Sequence, residues 1–332
     1  MTRRTILALA ALAVLVAAPL AGIEPYALHI AVQILLWSFV YTAWSLMGRF
    51  GLTSFGHGGF LAIGVYTSSL LWNDLHLSPW IGIPAGAVLA AVGALAIGYP
   101  CFRLKVVGHY FALVTLAFGE VIRLAIIAAR DVTGGSLGMT PNPVPTPSLV
   151  ALQFADKETF YYIALALWLA GLAVWWRVDR SMIAKALTAI SDDEAAAAAV
   201  GIDVARRKLA ITLLSAVMTA IGGSLLGQYL MYLNPDSLAG INPSLQIVFA
   251  AIAGGMYSLL GPTAGAALTI CLGEFLRILF GTHFIGAANT IYGILLILFI
   301  VFLPRGLVGA IEDGATAASS YKAIRRPSSA AQ

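Results

Sequence analysis

The chain has 332 residues, of which 60% are hydrophobic and only 10% are charged, and its net charge is +4. A soluble domain carries roughly 25% charged residues, so this composition excludes a soluble globular protein and predicts a polytopic membrane protein. The small positive charge does not indicate a partner nucleic acid. Cys101 and Cys271 lie in or beside apolar segments without metal-ligand spacing, so neither a disulfide framework nor a metal site is predicted.

Apolar runs of about 20 residues, long enough to cross a bilayer, recur along the chain and predict an all-α fold. There are ten such runs, at residues 5–23, 27–47, 51–72, 80–101, 109–130, 159–176, 209–232, 244–260, 262–280 and 284–303. With the N-terminus inside, ten spans place most lysines and arginines on cytoplasmic loops, and both termini are then cytoplasmic. The first run could instead be a cleaved signal peptide, because it follows a basic start and ends in small residues. We favour a span.

The third run opens unlike an ordinary lipid-facing helix. Residues 51–59 read GLTSFGHGG, which is rich in glycine and polar side chains. A broken or loosely wound segment is tolerated in a membrane where it lines a cavity or is buried against other helices. Ser54 and His57 are therefore candidate pathway residues, and close helix packing through small residues is the alternative.

Two polar regions lie outside the apolar runs, one between the fifth and sixth runs and one after the tenth. Residues 131–158 contain TGGSLGMTPNPVPTP, which predicts a structured, non-helical loop on the outer face. This loop could contact an external partner, cover the mouth of a pathway or only connect two spans. Residues 1–310 are predicted to form one transmembrane domain, and the polar composition of residues 311–332 predicts a disordered cytoplasmic tail.

Two of the predicted spans share a charged motif. Residues 115–124 read TLAFGEVIRL and residues 269–278 read TICLGEFLRI. In each, glutamate and arginine are three residues apart and share a helix face: Glu120 with Arg123, and Glu274 with Arg277. A lone charge inside a bilayer costs about 2.5–3.5 kcal/mol, which predicts ion pairs that face protein or water. The match predicts an internal repeat, whose pairs could line a pathway for a zwitterionic solute or act as internal struts.

The interior segment 180–209 is polar but has the composition of a helix. Ser191 and Glu194 fit a capping box at a helix start, and acidic residues there favour the positive end of the helix dipole. Alanines follow, and glycine ends the run, so we predict a helix over residues 191–201. The residues singled out are Ser191, Asp192, Asp193, Glu194, Ala195, Ala196 and Gly201. A helix with such small side chains along one face could dock in a groove of another protein. The alternative is an ordinary connecting helix on the membrane surface.

Several chemistries lack a sequence signature. No Gly-x-x-x-x-Gly-Lys-Ser/Thr sequence occurs, so nucleotide binding by a P-loop is not predicted. No convergent nucleophile or paired-carboxylate set supports a membrane-embedded enzyme. A secondary transporter driven by an ion gradient remains an alternative, because such proteins are also built from repeats, and Glu120 or Glu274 would be its proton site.

Six stretches indicate a family. In chain order they are residues 51–64 (GLTSFGHGGFLAIG), 108–124 (GHYFALVTLAFGEVIRL), 133–139 (TGGSLGM), 186–209 (which includes EAAAAAVGID), 254–265 (GGMYSLLGPTAG) and 302–309 (FLPRGLVG). In these stretches the chain resembles the membrane permeases of branched-chain-amino-acid-type ABC importers, specifically the LivM-like branch. Residues 1–50 and the tail after residue 310 carry little of the resemblance.

The resemblance implies a multi-pass subunit of a bacterial inner-membrane importer. Its partners would be two ATP-binding cassette subunits, a distinct sister permease and a periplasmic or extracellular solute-binding protein near residues 131–158. The chain would hold no cofactor, since the partner subunits bind ATP. The segment from Glu194 resembles the coupling helix that docks on the ATPase, with four residues rather than three between the alanine pair and Gly201. Branched-chain amino acids are the implied default solute, while similar permeases carry urea, short amides or organic acids.

Overall fold

The computed structural model describes residues 10, 12–22, 24–106, 108–146, 148–154, 156–280, 285–303 and 305–310. These residues are helical and contain no β-strand, apart from isolated bridges that pair Met139 with Leu233 and Ser148 with Gln153. The predicted all-α fold is confirmed. The predicted tail, residues 311–332, lies outside the described residues.

The helices follow one another with short connections, except for the long segment between α4 and α5. They are α1 Pro25–Gly48, α2 His57–Leu75, α3 Pro79–Arg103, α4 His109–Ala128, α5 Lys157–Asp179, α6 Met182–Asp192, α7 Glu194–Ala199, α8 Val204–Leu230, α9 Ile241–Gly254, α10 Gly261–Phe280 and α11 Ile285–Phe302. Residues 12–17 are also helical. Shorter turns are Pro19–Ala21, Arg130–Thr133, Gly135–Leu137 and Pro235–Leu238.

Residues with restricted or permissive backbones set several of these boundaries. Pro25 and Pro79 stand at the first position of α1 and α3, where the missing N–H costs no intrahelical hydrogen bond. His76 and Met231 end α2 and α8 with left-handed backbone, at φ 53° and φ 57°. Each lets the chain turn out of its helix while its N–H still reaches a carbonyl of the last turn.

Seven helices in the described part of the chain are long and apolar enough to cross a membrane. They are α1, α3, α4, α5, α8, α10 and the stretch Pro235–Gly254 that ends with α9. This supports a multi-pass membrane protein. α2 has 19 residues and packs against α3 and α8 inside the bundle. The count of ten spans stays a prediction, because most of the first span lies outside the described residues.

Glycines bring the interior helices into backbone contact. A Cβ added at Gly64 would lie 2.0 Å from Ala220 O, and one added at Gly223 would lie 2.4 Å from Leu61 O. α2 and α8 therefore touch along their main chains, as small residues allow in membrane helices.

The helices place different surfaces at the two ends of the bundle. At one end, Arg49 Nη1 donates to Asp179 Oδ1 at 2.9 Å and joins the ends of α1 and α5. α6 and α7 connect α5 to α8 at this end, which we call the α7 end. At the other end, Lys157 Nζ donates to Pro25 O at 3.3 Å and joins the starts of α5 and α1. We call it the loop end, because the segment after α4 packs there.

That segment was predicted to be structured and non-helical over residues 131–158. It is tied to the bundle by Trp72 Nε1, which donates to Asn142 O at 2.9 Å, and by Trp80 Nε1, which donates to Leu149 O at 2.8 Å. The structure differs from the prediction in two details. The loop begins with the two short helical turns given above. The Thr133 hydroxyl stabilises them by donating to Ile126 O and accepting from Gly135 N. In addition, α5 begins at Lys157, inside the predicted loop.

Candidate functional site

The chain enters α2 through a non-helical segment, residues 51–56, as the sequence predicts. Its buried backbone groups find partners on neighbouring helices. Trp44 Nε1 of α1 donates to Ser54 O at 2.9 Å, and Phe55 N donates to Thr115 Oγ1 of α4 at 3.0 Å. Ser54 is itself buried, and its hydroxyl accepts from the N–H two residues on at 3.2 Å. Irregular backbone can therefore lie inside the bundle without unpaired groups at these positions.

His57, the first residue of α2, is fully buried. Its Nε2 lies 2.8 Å from Ser215 Oγ, and that hydroxyl donates to Ala43 O at 2.7 Å. Because the serine hydrogen is already used, His57 Nε2–H is the donor in the first bond. The imidazole thus links α2 to α8 and, through the serine, to α1. This geometry is that of a packing residue.

A second helix begins beside α2 inside the bundle. Gly58 N of α2 donates to Ser244 Oγ of α9 at 3.0 Å, and this hydroxyl donates to Gly240 O at 2.7 Å. Gly240 has φ 78°, so the chain turns sharply just before α9 starts at Ile241. The sequence analysis placed a span at residues 244–260, whereas α9 covers Ile241–Gly254 and so begins and ends earlier. Glycines at positions 240 and 255, both with positive φ, were the available signal.

Glu120 and Arg123 form the ion pair that their spacing predicts. Arg123 Nε donates to Glu120 Oε1 at 2.8 Å, and Arg123 Nη1 donates to Asp236 Oδ1 at 2.7 Å. A Cβ added at Gly240 would lie 2.8 Å from Arg123 Cδ. The pair therefore packs on the turn that precedes α9. Sequence spacing could not reveal Asp236, which lies on another element.

Glu274 and Arg277 also pair, with Arg277 Nε donating to Glu274 Oε2 at 2.6 Å. Their surroundings differ from those of the first pair, because the Arg277 side chain is 67% exposed in the part of the chain that the structure describes. A Cβ added at Gly273 would meet no described atom within 4 Å, whereas Gly119 of the first motif lies close to Gly56. The two motifs share local pairing and differ in packing, and the internal repeat stays a prediction.

The helix predicted over residues 191–201 is in fact two helices, α6 and α7. Ser191 does not cap: it lies in α6, and its hydroxyl donates to the carbonyl three residues earlier at 2.7 Å. Asp193 is the cap, accepting from Ala195 N at 2.8 Å and from Ala196 N at 3.0 Å. Its backbone is extended, at φ −153° and ψ 108°, which breaks the helix there and aims the carboxylate at the exposed N–H groups. Asp192 is the last residue of α6.

Glu194 does not complete a capping box either. Its Oε2 accepts from Lys208 Nζ of α8 at 2.6 Å, and the Lys208 side chain is only 8% exposed. α7 ends in a Schellman motif, with Gly201 N bonded to Ala198 O at 3.0 Å and the next N–H bonded to the carbonyl of residue 197 at 3.1 Å. Gly201 has φ 90°, which confirms it as the residue that ends the helix. The ion pair and the turn fix α7 against the start of α8.

The outer face of α7 carries no large side chain. Four of its alanines are exposed, at positions 195, 196, 198 and 199, while Ala197 is buried and packs toward the protein. α8 has 27 residues, so at 1.5 Å per residue this face lies about 40 Å from the loop end. In the residues that the structure describes, no group of three or more His, Cys, Asp or Glu could hold a metal ion.

A family model described as "Branched-chain amino acid transport system / permease component" matches residues 26–303 of the chain. The chain belongs to this permease family. Permease protein LivM of Escherichia coli (strain K12) is 29% identical over 286 residues, which cover 79% of this chain and 65% of LivM. LivH of the same organism is 27% identical over 280 residues, 80% of this chain and 88% of LivH. The predicted resemblance to LivM-like permeases is confirmed, and the chain spans 65% of the length of that relative.

In this permease the predicted site residues fall into three places. Ser54 lies just before α2 and His57 at its start, and α2 hydrogen-bonds to α9. The Glu120–Arg123 pair of α4 packs on the turn that precedes α9. The second pair, on α10, stands apart on an exposed face. The residues around α7 lie at the α7 end. The structure thus brings Ser54 and His57 near the Glu120–Arg123 pair and separates all four from the second pair and from α7.

Asp193→Ala is expected to destabilise α7 by about 1 kcal/mol, because two backbone N–H groups lose their acceptor. Hydrogen exchange of the amides of residues 195–199 measures this loss directly. Ser191→Ala is the matched control and is expected to leave the exchange unchanged. Equal exchange in the two variants would show that Asp193 is not the cap.

Proposed function

We propose that this chain is the membrane-spanning permease subunit of an ATP-driven importer, and that it forms part of the pathway through which the solute passes. The match of the permease family to residues 26–303 carries the proposal. The apolar helices supply the membrane domain, and the absence of a P-loop sequence assigns ATP binding to separate cytoplasmic subunits. The chain itself is then not an enzyme and needs no cofactor.

α7 is the element that we assign to contact with the ATPase. Its exposed alanine face offers backbone-close contact without protruding side chains, which suits a groove on a partner. The ion pair between Glu194 and Lys208 gives this face a firm connection to α8. Closure of the two ATP-binding subunits would move α7 as a rigid lever and change the side of the membrane to which the pathway opens.

The proposed orientation follows from the charges and the two ends of the bundle. The α7 end faces the cytoplasm of a bacterial inner membrane, both termini lie on that side, and ten spans connect them. The loop end then faces outward, where a solute-binding protein delivers its cargo. A sister permease completes the membrane unit, since both LivM and LivH permeases are similar to this chain.

The solute that we propose is a branched-chain amino acid or a similar small zwitterionic compound. The names of the matched family and of its relatives support this class. An ion-gradient mechanism gains no support from the intramembrane carboxylates, because Glu120 and Glu274 are each paired with an arginine. We assign the Glu120–Arg123 pair to a strut that holds the turn before α9.

Ala196→Trp tests the docking of α7. The indole would stand out of the exposed alanine face, so uptake of L-leucine by the assembled importer and stimulation of its ATPase are expected to fall by roughly tenfold or more. The chain should still insert and fold, which its yield in detergent measures. Leu104→Trp is the matched control, because Leu104 is an exposed residue after α3 at the same end of the bundle. Wild-type transport by Ala196→Trp would contradict the proposal.

A further inference from the structure

A cavity of about 580 Å³ lies at the loop end of the bundle. It is lined by residues from the start of α1, the start of α5, the end of α8 and the loop that precedes α5. Small-molecule sites in proteins have volumes of about 300–1,000 Å³, so this cavity has the size of one. Within the described chain, its walls include none of the site residues that the sequence singled out.

Gln228 lies in the wall of this cavity on the last turn of α8. Its side chain is almost entirely buried, with 2% of the residue exposed. Neither its Nε2 nor its Oε1 has a hydrogen-bond partner among the residues that the structure describes. A primary amide has two N–H donors and a carbonyl acceptor, and buried polar groups are normally satisfied. Both atoms are buried in this conformation, so a molecule inside the cavity would reach them by a rotation of the Gln228 side chain.

A second polar group reaches the cavity from Tyr229. Gln33 Nε2 donates to His29 Nε2 at 3.1 Å, so the other ring nitrogen of His29 carries the hydrogen. His29 Nδ1 lies 2.6 Å from the Tyr229 hydroxyl and donates to its oxygen. The hydroxyl hydrogen of Tyr229 is then left to donate elsewhere. Both His29 and Tyr229 line the cavity, which makes this hydrogen a donor for a bound molecule.

Opposite charges stand side by side at the rim. Asp156 and Lys157 are exposed neighbours at the N-terminus of α5, and both line the cavity. The Asp156 side chain makes no capping hydrogen bond to described residues. Lys157 donates to Pro25 O, and its ammonium group has three N–H donors, so others remain. The lining also includes the apolar side chains of Leu152 and Phe160.

We propose that this cavity binds a zwitterionic amino acid with an aliphatic side chain, within the permease itself. The inference rests on the proposed function, in which such a solute arrives at the loop end. The α-carboxylate would face Lys157 and the Tyr229 hydroxyl, and the α-ammonium would face Asp156 and the carbonyl of Gln228. The aliphatic side chain would pack on the apolar wall. A neutral amide would leave both rim charges unused, and an organic acid would bring a carboxylate toward Asp156 without a compensating ammonium.

Equilibrium binding of labelled L-leucine to the full chain in lipid nanodiscs tests this site. Saturable binding is expected, and 4-methylpentanoate and 3-methylbutylamine, which each lack one of the two charges, should compete at least roughly tenfold more weakly. Lys157→Gln and Gln228→Leu are expected to weaken binding by roughly tenfold. Glu158→Gln is the matched control, because Glu158 is an exposed neighbour that is not among the cavity's lining residues in the described chain.

Two results would overturn the site. One is no saturable binding to folded chain; the other is equal affinity of Lys157→Gln and wild type. Lys157 is exposed, so this variant keeps the test valid even where Gln228→Leu fails to fold. Uptake by the assembled importer separates the two proposals. ATP-driven uptake of L-leucine that is unchanged in Lys157→Gln rejects the cavity and leaves the importer standing, whereas absence of any ATP-driven uptake by the wild type rejects the importer.

Discussion

Gly64→Ala is expected to abolish the yield of folded protein. The added Cβ would lie 2.0 Å from Ala220 O and 2.7 Å from Ala220 C. Overpacking a core usually costs about 1–3 kcal/mol, and more where the obstructing atom cannot rotate away. Here the obstruction is the main chain of α8, so α2 and α8 would have to separate. That separation would also break the hydrogen bond from Ser224 Oγ to Gly64 O, at 2.9 Å.

The measurement is the fraction of monodisperse protein after extraction in detergent, together with its melting temperature. Gly273→Ala is the matched control, because Gly273 is also a helical glycine and its added Cβ meets no described atom within 4 Å. This control should be neutral or more stable by about 0.5–1 kcal/mol, as alanine is a better helix former than glycine. Comparable folded yields for the two variants would contradict the backbone contact between α2 and α8.

The second large effect is expected at Lys208, which joins α7 to α8. Lys208→Met leaves the Glu194 carboxylate, whose side chain is 34% exposed, without the ammonium 2.6 Å away. Removing one partner of a buried pair costs about 3–5 kcal/mol, and the partial exposure of Glu194 lowers this to about 2 kcal/mol. α7 then loses its fixed position. ATP-driven uptake is expected to fall by roughly tenfold or more, while the transmembrane bundle still folds.

A double-mutant cycle with Glu194→Gln isolates the pair. If the loss comes from the unpaired carboxylate, Lys208→Met combined with Glu194→Gln should recover part of the uptake that Lys208→Met loses. Arg206→Met is the matched control, because Arg206 is an exposed basic residue two positions earlier on the same helix. Equal losses in Arg206→Met and Lys208→Met would show that general charge, and not this contact, matters.

Long apolar runs predicted the membrane helices well. The run at residues 27–47 corresponds to α1, Pro25–Gly48. The run at residues 209–232 overlaps most of α8, Val204–Leu230. Such runs are strong signals because a helix that crosses a bilayer must be predominantly apolar along its length. The family resemblance also followed from short sequence stretches, and the family model confirms it.

Contacts between distant parts of the chain could not be predicted. The sequence predicted Ser191 as the cap of this helix, whereas Asp193 caps α7, because the extended backbone at Asp193 breaks the helix there. Glu194 was assigned to a local capping box, but its partner is Lys208, brought near by the turn after α7. The cavity at the loop end escaped notice because its residues come from four separate segments, and no local pattern marks an amide left without a partner.

The irregular segment at residues 51–56 has a mechanical consequence. It is bonded to α1 and α4, and the helix that follows it is bonded to α9 and pressed against α8. Sliding any one of these five helices would break buried hydrogen bonds that have no water to replace them. The permease core must therefore travel as one block. In the importer that we propose, opening and closing would then be a rigid-body tilt of this block against the sister permease.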